Sequence, residues 1–377
     1  MSKVKLGEVA IEHKETCKGN KDGYPIVGLE HLVPEEVTLT AWDEGSDNTF
    51  TKMFRKGNVL FGRRRAYLKK AAVAPFDGIC SGDITVIEAI PDRILPMLLP
   101  FIIQNDELFD FAVGKSAGSL SPRVKWEHLK NYEFELPDMD KQRELAELLW
   151  AMDATKKSYQ KLIAATDELV KSQFIERFGK PGTDPFRWGL TTLGKCCELN
   201  PRKPKGINTD DSYSFVAMPS VSEDGRIDAS VERPYSEVCK GFTYFAENDV
   251  LFAKITPCME NGKGGVAKGL KNGVGFGSTE FHVLRPIKGV SDPYWLYIIT
   301  MFSKFRSDAE KVMTGTGGQR RVPITYLSEY SITLPPIELQ EQFAAFVRQS
   351  DKSKFELEQA LSELTAIYKR IIAENLG

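Results

Sequence analysis

The stretch GTGGQRRVPITYL, residues 315–327, decides the fold because a related stretch occurs earlier in the chain. Its counterpart is SAGSLSPRVKWEHLKNYEFELP, residues 116–137. Both contain a loop of small residues, then Arg-Val, a leucine and a tyrosine. Leu-Pro ends the earlier stretch at Leu136-Pro137 and follows the later one at Leu334-Pro335. Pro335 lies 198 residues after Pro137. A period of this length predicts a duplicated domain rather than a solenoid of short repeats.

Other segments match in the same order. KGNVLFGRRRAY (56–67) corresponds to ENDVLFAKITPC (247–258), and ICSGDITVIEAI (79–90) corresponds to GFGSTEFHVLRPI (275–287). The first pair predicts a turn, a buried Val-Leu-Phe strand and a polar or basic exit from that strand. The second pair predicts a turn with serine and glycine followed by a half-exposed strand. An amphipathic segment then precedes each Gly/Ser loop.

Each half ends in a segment with a helical pattern, at about 141–178 and 338–375. In the first, apolar positions three and four residues apart predict one seam of heptad type. The predicted first seam is Leu145, Leu148, Met152, Tyr159, Leu162, Thr166 and Leu169. The predicted second seam is Phe343, Phe346, Ser350, Leu357, Ala360, Leu364, Ile367 and Ile371. Such long helices need a partner, and their shared register favours an antiparallel pair. Packing of each helix on its own globular domain remains the alternative.

Length and composition indicate a globular protein large enough for two domains. The chain has 377 residues, of which 42% are hydrophobic and 27% charged. The N-terminal segment lacks an apolar signal core, and the longest apolar run (94–103) is too short to cross a bilayer. We therefore expect a cytoplasmic protein without a membrane partner. The cysteines lack metal-ligand spacing, which predicts reduced thiols and no metal site.

The net charge is −2, which by itself argues against nucleic-acid binding. The distribution of charge argues the other way, because acid-free basic stretches occur in both halves, at 59–76, 111–126, 261–275 and 311–327. Lysine and arginine on loops suit phosphate contacts, and arginine, asparagine and glutamine can also bind base edges. A solvated surface is the alternative for any one stretch, but the matched placement favours DNA.

The candidate DNA-binding residues follow from these stretches and the neighbouring turns. In the first half they are Arg63, Arg64, Arg65, Tyr67, Lys69, Lys70, Lys115, Ser119, Arg123 and Lys125. In the second half they are Lys254, Thr256, Asn261, Lys263, Lys268, Ser278, Gln319, Arg320 and Arg321.

No catalytic signature is complete. Gly315, Gly317 and Gly318 are spaced somewhat like a dinucleotide loop, but Pro323 prevents a helix from starting there. Asp83 and Glu280 occupy matching turn positions and could be catalytic acids. Because each half has only one of them, a polar contact or structural role is favoured. The histidines His128 and His282 sit in unrelated contexts and are interpreted as structural.

Taken in order, these motifs resemble the DNA-specificity subunit of type I restriction–modification systems. The similar segments include NDVLFAKITP, GFGSTEFHVLRP, GTGGQRRVPITYL and LPPIELQEQFA in the second half, and FGRRRAYLKKAAVA, GICSGDITVIEA and LPDMDKQRELAELL in the first. The resemblance implies an α+β fold of two similar mixed α/β target-recognition domains. Two long helices would join them as an antiparallel coiled coil with pseudo-two-fold symmetry. The implied boundaries are 1–137 and 180–335 for the domains, and 138–179 and 336–377 for the helices.

The resemblance also implies function and partners. Each domain would read one half of a bipartite double-stranded DNA target, and the helix pair would set the spacing between the halves. The two domains differ in sequence, which implies an asymmetric target. The subunit would have no catalytic site of its own. It would dock two DNA adenine methyltransferase subunits and then restriction subunits, and those partners would bind S-adenosylmethionine, ATP and Mg²⁺. A self-contained DNA-modifying or DNA-cleaving enzyme and a protein-binding scaffold remain as alternatives.

Overall fold

A computed structural model describes residues 2–45, 49–316 and 318–377 of the chain. Gly317 of the second Gly-rich loop lies outside the described residues. The chain divides into two compact units. Unit 1 comprises the residues up to Leu162 together with Leu357–Gly377, and unit 2 comprises Ile163–Glu356.

The globular part of unit 1 is built from short strands and short helices. Its strands are β1 (Ser2–Lys5), β2 (Ala10–Glu12), β3 (Ile26–Val27), β4 (Lys52–Phe54), β5 (Val59–Gly62), β6 (Ala71–Val73), β7 (Gly78–Cys80), β8 (Ile84–Ala89) and β9 (Glu133–Leu136). Its α-helices are α1 (Leu6–Val9), α2 (Leu99–Ile103), α3 (Asp106–Gly114) and α4 (Trp126–Leu129), and a 3₁₀ helix spans Ala66–Leu68. The long helix α5 (Met139–Phe178) follows and continues into unit 2.

The globular part of unit 2 repeats this order of elements. Its strands are β10 (Leu190–Thr192), β11 (Cys197–Leu199), β12 (Ser212–Val216), β13 (Glu232–Pro234), β14 (Thr243–Ala246), β15 (Val250–Ala253), β16 (Gly264–Val266), β17 (Val274–Gly277), β18 (Phe281–Pro286) and β19 (Ser331–Thr333). Its α-helices are α6 (Leu193–Cys196), α7 (Tyr235–Val238), α8 (Pro293–Met301), α9 (Ser303–Lys311) and α10 (Ile324–Glu329), and 3₁₀ helices span Met218–Ser220 and Lys271–Gly273. The long helix α11 (Ile337–Leu376) ends the chain and returns to unit 1.

Sheet topology shows the duplication directly. Unit 1 contains an antiparallel sheet in the order β2-β8-β5-β6, a second sheet in the order β3-β7-β4 and the ribbon β1-β9. Unit 2 contains the matching sheet β11-β18-β15-β16 and the ribbon β10-β19. Its second sheet, β13-β12-β17-β14, adds one edge strand to the matching three. The matching pairs β3-β7 in unit 1 and β12-β17 in unit 2 are both parallel. The fold is therefore mixed α/β with an internal repeat.

The strand predictions were partly right. The Val-Leu-Phe strands β5 and β15 are buried along their whole length, as predicted. The prediction of half-exposed strands was wrong for β8 and β18, whose first four residues are buried. The cause is that both faces of the sheet are covered. In β8, Val86 packs into one hydrophobic cluster of unit 1 while Ile87 packs into another.

The predicted helix seams need correction. Leu145 and Met152 are buried, but Leu148, Leu162 and Leu169 are 46–51% exposed. In the other helix, Ile367 is 43% exposed. The start of α5 packs into the core of the globular part of unit 1, and the start of α11 packs into that of unit 2. The alternative of packing on the adjacent globular domain therefore holds for the first turns of both helices.

A repeated glutamine fixes each long helix to the domain before it. The Gln142 side-chain oxygen accepts a hydrogen bond from Leu95 N (2.8 Å), and its amide group donates to Pro137 O (2.9 Å). Gln340, 198 residues later, accepts from Asp292 N (3.0 Å) and donates to Pro335 O (2.9 Å). Both glutamines are buried. The direction of each helix is thus set by the same hydrogen bonds.

Contacts between α5 and α11 occur within each unit. In unit 1, Lys156 Nζ of α5 lies 5.1 Å from the ring centre of Tyr368 of α11. In unit 2, Lys354 Nζ of α11 lies 2.8 Å from Asp167 Oδ1 of α5. Among the described residues, no helix combines the length and the apolar composition that crossing a membrane requires.

Candidate nucleic-acid interface

Three segments of unit 1 meet at the carboxyl end of β5. They are the exit of β5, the turn before β8 and the loop that ends at Val124. Arg63 N donates to Asp83 O (3.0 Å), Val124 N donates to Arg63 O (3.0 Å) and Arg65 N donates to Pro122 O (2.8 Å). These backbone bonds hold the predicted basic residues of β5 beside the Gly/Ser loop.

The carboxylate of Asp83 holds two arginines in this frame. Arg123 Nε donates to Asp83 Oδ1 (2.7 Å), and Arg64 Nη1 donates to Asp83 Oδ2 (3.3 Å). The hydrogen bond from Arg123 is the main cause that lowers the pKa of Asp83, so the carboxylate is ionised at neutral pH. The Asp83 side chain is 20% exposed and that of Arg123 is 41% exposed.

Unit 2 contains the same backbone frame. Lys254 N donates to Glu280 O (2.9 Å), Val322 N donates to Lys254 O (2.9 Å) and Thr256 N donates to Arg320 O (3.0 Å). Each bond corresponds to one in unit 1. The sequence-level match between the two halves thus extends to the hydrogen bonds of the candidate interface.

Glu280 takes the place of Asp83 in unit 2. Arg321 donates from Nε to Glu280 Oε2 (2.9 Å) and from Nη2 to Glu280 Oε1 (2.8 Å). This pair of parallel bonds lowers the pKa of Glu280. Asp83 and Glu280 therefore make the polar contact that the sequence favours for them over a catalytic role. They brace an arginine in the same way in both units.

The two loops that carry the braced arginines are closed alike. Ala117 and Arg123 exchange backbone hydrogen bonds of 3.0 Å, and Thr314 and Arg321 exchange bonds of 3.0 and 2.8 Å. The second loop is one residue longer. It needs glycine at Gly315, where φ is +127° and a Cβ atom would lie 2.6 Å from Gln319 O.

A buried histidine supports the loop in unit 2. His282 Nε2 lies 2.8 Å from Val322 O, and since a carbonyl only accepts, this nitrogen carries the proton. Nδ1 then accepts from Asn200 Nδ2 (3.2 Å). Burial lowers the pKa of His282 to about 4, so the ring is neutral. This is the structural role that the sequence predicts for His282.

Other predicted residues of unit 1 divide into exposed side chains and side chains bound to their own unit. Lys69 Nζ lies 2.5 Å from Asp106 Oδ1, and Lys70 Nζ donates to Leu29 O (2.8 Å). The Nε of Arg63 is buried and has no hydrogen-bond partner among the described residues. The exposed set is Arg65, Tyr67, Lys115, Ser119 and Lys125.

The predicted residues of unit 2 divide in the same way. Lys263 Nζ donates to Met218 O (3.3 Å), Thr256 Oγ1 donates to Glu260 (2.8 Å) and Ser278 Oγ accepts from Glu280 N (3.2 Å). Lys268 bonds to the side chain of Asn248 and lies 5.9 Å from the ring centre of Tyr294. Asn261 and Gln319 are exposed. Arg320 lies 3.5 Å from Glu310 and 3.9 Å from Glu260.

Two residues at the tip of the first loop, Ser121 and Leu120, were not among those predicted from sequence. Ser121 Oγ accepts from Arg64 Nε (2.9 Å) and fixes the tip of the first loop. Beside it, Leu120 is 90% exposed. The bracing role of Asp83 and Glu280 had a signal that could have shown it, because each follows a serine by two residues in both halves.

A group of potential metal ligands lies in unit 1, formed by Glu30, His31 and Asp43. His31 Nδ1 accepts a hydrogen bond from Gly28 N (2.9 Å), so Nε2 carries the proton of the neutral ring. That nitrogen faces Asp43 Oδ2 at 3.6 Å. The ring therefore has no lone pair to offer a metal, and the arrangement suits a contact with Asp43.

In chemical terms, each unit presents planar guanidinium groups, amides and lysines around one loop. Such groups bind phosphate oxygens and the acceptor edges of bases. The described geometry contains no pairing of a nucleophile with a base at this surface.

Comparison with known proteins gives concordant results. The family described as Type I restriction modification DNA specificity domain matches residues 1–165 and 187–365. The EcoAI specificity subunit of Escherichia coli is 36% identical over 201 residues, which are 52% of this chain and 34% of that protein. The EcoEI specificity subunit of Escherichia coli is 40% identical over 159 residues, 42% of this chain and 26% of that protein. The matched segments thus span about a third or less of these relatives.

Solved structures share the fold. One, described under complex assembly and conformational transition of the type I restriction–modification system, aligns over 99% of this chain and 97% of its own. Its TM-score is 0.56 at 20% identity. The type I S subunit of M. genitalium aligns over 98% and 94%, with a TM-score of 0.56 at 12% identity.

Proposed function

The chain belongs to the type I restriction modification DNA specificity family, and from this membership we propose that it recognises DNA as the specificity subunit of a type I restriction–modification complex. Each unit reads one half of a bipartite, asymmetric target. The observation that carries the proposal is the shared frame of the two units. The same backbone bonds and the same braced arginine support loops that differ in sequence, as two readers of different half-sites require.

We assign the predicted DNA contacts to bases or to phosphates by comparing matching positions in the two units. Arg63, Arg64 and Arg65 stand where Lys254, Ile255 and Thr256 stand in the other unit. The loop tips also differ, with Ser119 to Pro122 in unit 1 and Gln319 and Arg320 at the end of the tip in unit 2. Because the half-sites differ, we assign base reading to these unlike positions. The lysines near them supply phosphate contacts.

A selection experiment tests DNA recognition. The purified chain is incubated at low salt, where phosphate contacts bind most strongly, with a pool of random duplexes, and bound duplexes are amplified and sequenced. We expect a bipartite motif with a fixed spacer and unlike halves. The same motif should contain the methylated adenines of the host genome. Enrichment of no motif contradicts the proposal.

The non-catalytic role has a separate test. The chain is incubated alone with DNA, Mg²⁺ and S-adenosylmethionine, and with the same mixture plus methyltransferase subunits as the positive control. We expect neither cleavage nor methyl transfer by the chain alone. Either activity without partners supports a self-contained enzyme instead.

We propose that α5 and α11 form an antiparallel coiled coil that sets the spacing between half-sites. The helix contacts inside each unit support this, together with 40 residues in each helix, a length of about 60 Å. Inserting four residues after Leu162 and four after Glu356 lengthens both helices by about 6 Å, close to two base-pair steps. We expect the spacer in the selected motif to grow accordingly. Replacing four residues by alanine at the same points is the control and should leave the spacer unchanged.

We further propose that the helices dock two methyltransferase subunits, on which restriction subunits assemble in the cytoplasm. S-adenosylmethionine, ATP and Mg²⁺ bind those partners. On α5, the exposed Leu148 lies in unit 1 and the exposed Leu169 lies in unit 2, and each supports a docking surface for one methyltransferase. Changing both to glutamate should prevent co-purification of the methyltransferase, while Glu147→Gln on the same helix should not. Retained co-purification places the docking surface elsewhere.

A further inference from the structure

Among the described residues of the candidate interface, Arg123 and Arg321 are the one pair of basic residues with the same hydrogen bonds to a carboxylate in both units. They lie 198 residues apart. Each closes its loop through backbone bonds to a partner at the other end. Each also donates from Nε and Nη2 to the carboxylate of the turn before the next strand.

The hydrogen bonds leave a defined part of each guanidinium open. Of five N–H groups, Arg123 uses two on Asp83, and Arg321 uses two on Glu280 and one on Gln319 O. Each arginine therefore retains an N–H on Nη1 and another on Nη2 with no partner among the described residues. Their side chains are 41% and 40% exposed. Two adjacent donors on a fixed plane suit two oxygens of one phosphate, or O6 and N7 of guanine.

The duplication decides between these two ligands. A residue with the same identity, the same brace and the same loop position in both units cannot tell two unlike half-sites apart. What both half-sites share at every position is the phosphate backbone. The local charge agrees, because Arg64 and Arg123 around Asp83 leave one positive charge, as do Lys254 and Arg321 around Glu280.

We propose that Arg123 and Arg321 each clamp one DNA phosphate, so that the two units place their unlike loop tips against the bases in the same register. This inference rests on the DNA-recognition function proposed above. The brace has a clear physical purpose here. Because Asp83 and Glu280 already fix the guanidinium plane, little side-chain freedom remains to be lost when a phosphate binds.

The test uses the full chain and a duplex selected from the random pool by the wild-type protein. Arg321→Gln removes one charge from the clamp. Lys288→Gln removes one charge from an exposed position beyond the far end of β18, about 20 Å away along the strand, and is the matched control. Affinity is measured by fluorescence anisotropy at several salt concentrations, and folding is checked by circular dichroism.

We expect Arg321→Gln to weaken binding by roughly tenfold, the scale of one charge-assisted hydrogen-bonded contact. The loss should be equal for the selected duplex and for one with the second half-site scrambled. The slope of log K against log salt should fall by about 1. Lys288→Gln should change neither quantity.

A second measurement needs no variant. Each phosphate of the selected duplex is replaced in turn by a neutral methylphosphonate, and wild-type affinity is measured. We expect one phosphate in each half-site, at equivalent places, whose replacement lowers the affinity of the wild-type protein. For Arg321→Gln, replacing the phosphate in the second half-site should lower the affinity no further.

Other results overturn the inference while leaving DNA recognition intact. A loss confined to one base in the second half-site, and reproduced with 7-deazaguanine at that base, makes Arg321 a base reader. Normal binding by Arg321→Gln leaves it a structural brace alone. A wild-type chain that selects no duplex contradicts the proposed function itself.

Discussion

Asp249 should be among the most sensitive positions for the stability of unit 2. Its side chain is 2% exposed and lies just before β15, the strand that leads to Lys254. It accepts from Arg285 Nε (2.9 Å) and Nη2 (2.7 Å), and from Ala246 N (2.7 Å). Unit 1 has Asn58 at this position, where the side chain accepts from Arg55 N (2.8 Å) and makes no ion pair.

Substitutions at Asp249 and Asn58 together separate the contribution of the ion pair to stability from the contribution of the turn hydrogen bond. Asp249→Ala removes all three hydrogen bonds and leaves a largely buried arginine without its carboxylate, which should cost about 3–5 kcal/mol in the free energy of unfolding of unit 2. Asp249→Asn also removes the carboxylate from Arg285, but its side-chain oxygen can still accept from Ala246 N, so it should cost about 1 kcal/mol less, about 2–4 kcal/mol. Asn58→Ala removes only the turn bond in unit 1 and should cost about 1 kcal/mol.

Hydrogen exchange in increasing urea measures these values locally. Peptides covering β15 report on unit 2, and peptides covering β5 report on unit 1 in the same sample. The reasoning fails if Asp249→Asn lowers the free energy of unfolding of unit 2 as much as Asp249→Ala does. The hydrogen bond from Ala246 N would then make no contribution to stability. The reasoning also fails if Asp249→Ala costs less than about 1 kcal/mol, the value of the turn bond alone.

Further predictions concern three other positions. Asp351 is exposed as a residue, but partial removal of its carboxyl group from water raises its pKa to about 6, with Lys354, Asp167, Arg226 and Asp224 also acting on it. The contribution of Asp351 to stability therefore falls as pH rises from about 4 to about 6, because this group ionises first in the unfolded chain. Asp351→Asn should gain in melting temperature relative to wild type over that window, and an equal shift at all pH values would contradict this. Arg320→Ala should cost about 1–3 kcal/mol of DNA binding at the second half-site only, measured by anisotropy with each half scrambled. Leu376→Ala, at a fully buried position, should destabilise unit 1 by about 2–5 kcal/mol in hydrogen exchange, and an unchanged unit 1 would contradict its core role.

The repeat was predictable from sequence because the motifs that define it are local. The Val-Leu-Phe strands, the Ser-containing turns and the Leu-Pro pairs each depend on a few adjacent residues. Their common order, at similar offsets of 191, 197 and 198 residues, can be recognised without knowledge of the tertiary structure. The matching sheets follow from this, since equal segments in equal order fold alike. The added edge strand β13 has no counterpart among the described residues of unit 1 and could not be predicted from the repeat.

The burial predictions failed where the answer depends on a neighbour. Leu148 and Leu169 have the spacing of a seam, yet they are exposed because the buried face of α5 is set by what it packs against. The half-exposed strands were wrong for the same reason. Alternation along β8 shows which residues share a face, but it does not show that a second cluster covers the other face.

The braced arginines lie beyond any local pattern. Arg321 and Glu280 are 41 residues apart, and their contact depends on how the loop after α9 returns to the start of β18. From sequence, both arginines were simply basic residues on flexible loops. Their intramolecular partners change this interpretation of flexible residues. A guanidinium group held by a carboxylate has one orientation and one edge left for a ligand.

The overall charge of the chain is compatible with this interpretation. A net charge of −2 would oppose DNA binding only if charges acted over the whole molecule. At physiological salt the screening length is about 8 Å, so a phosphate at the loop experiences mainly the groups beside it. Around each braced arginine those groups leave one positive charge. A few such contacts give weak affinity with marked salt dependence, so the chain alone should bind loosely and gain affinity from basic partner surfaces.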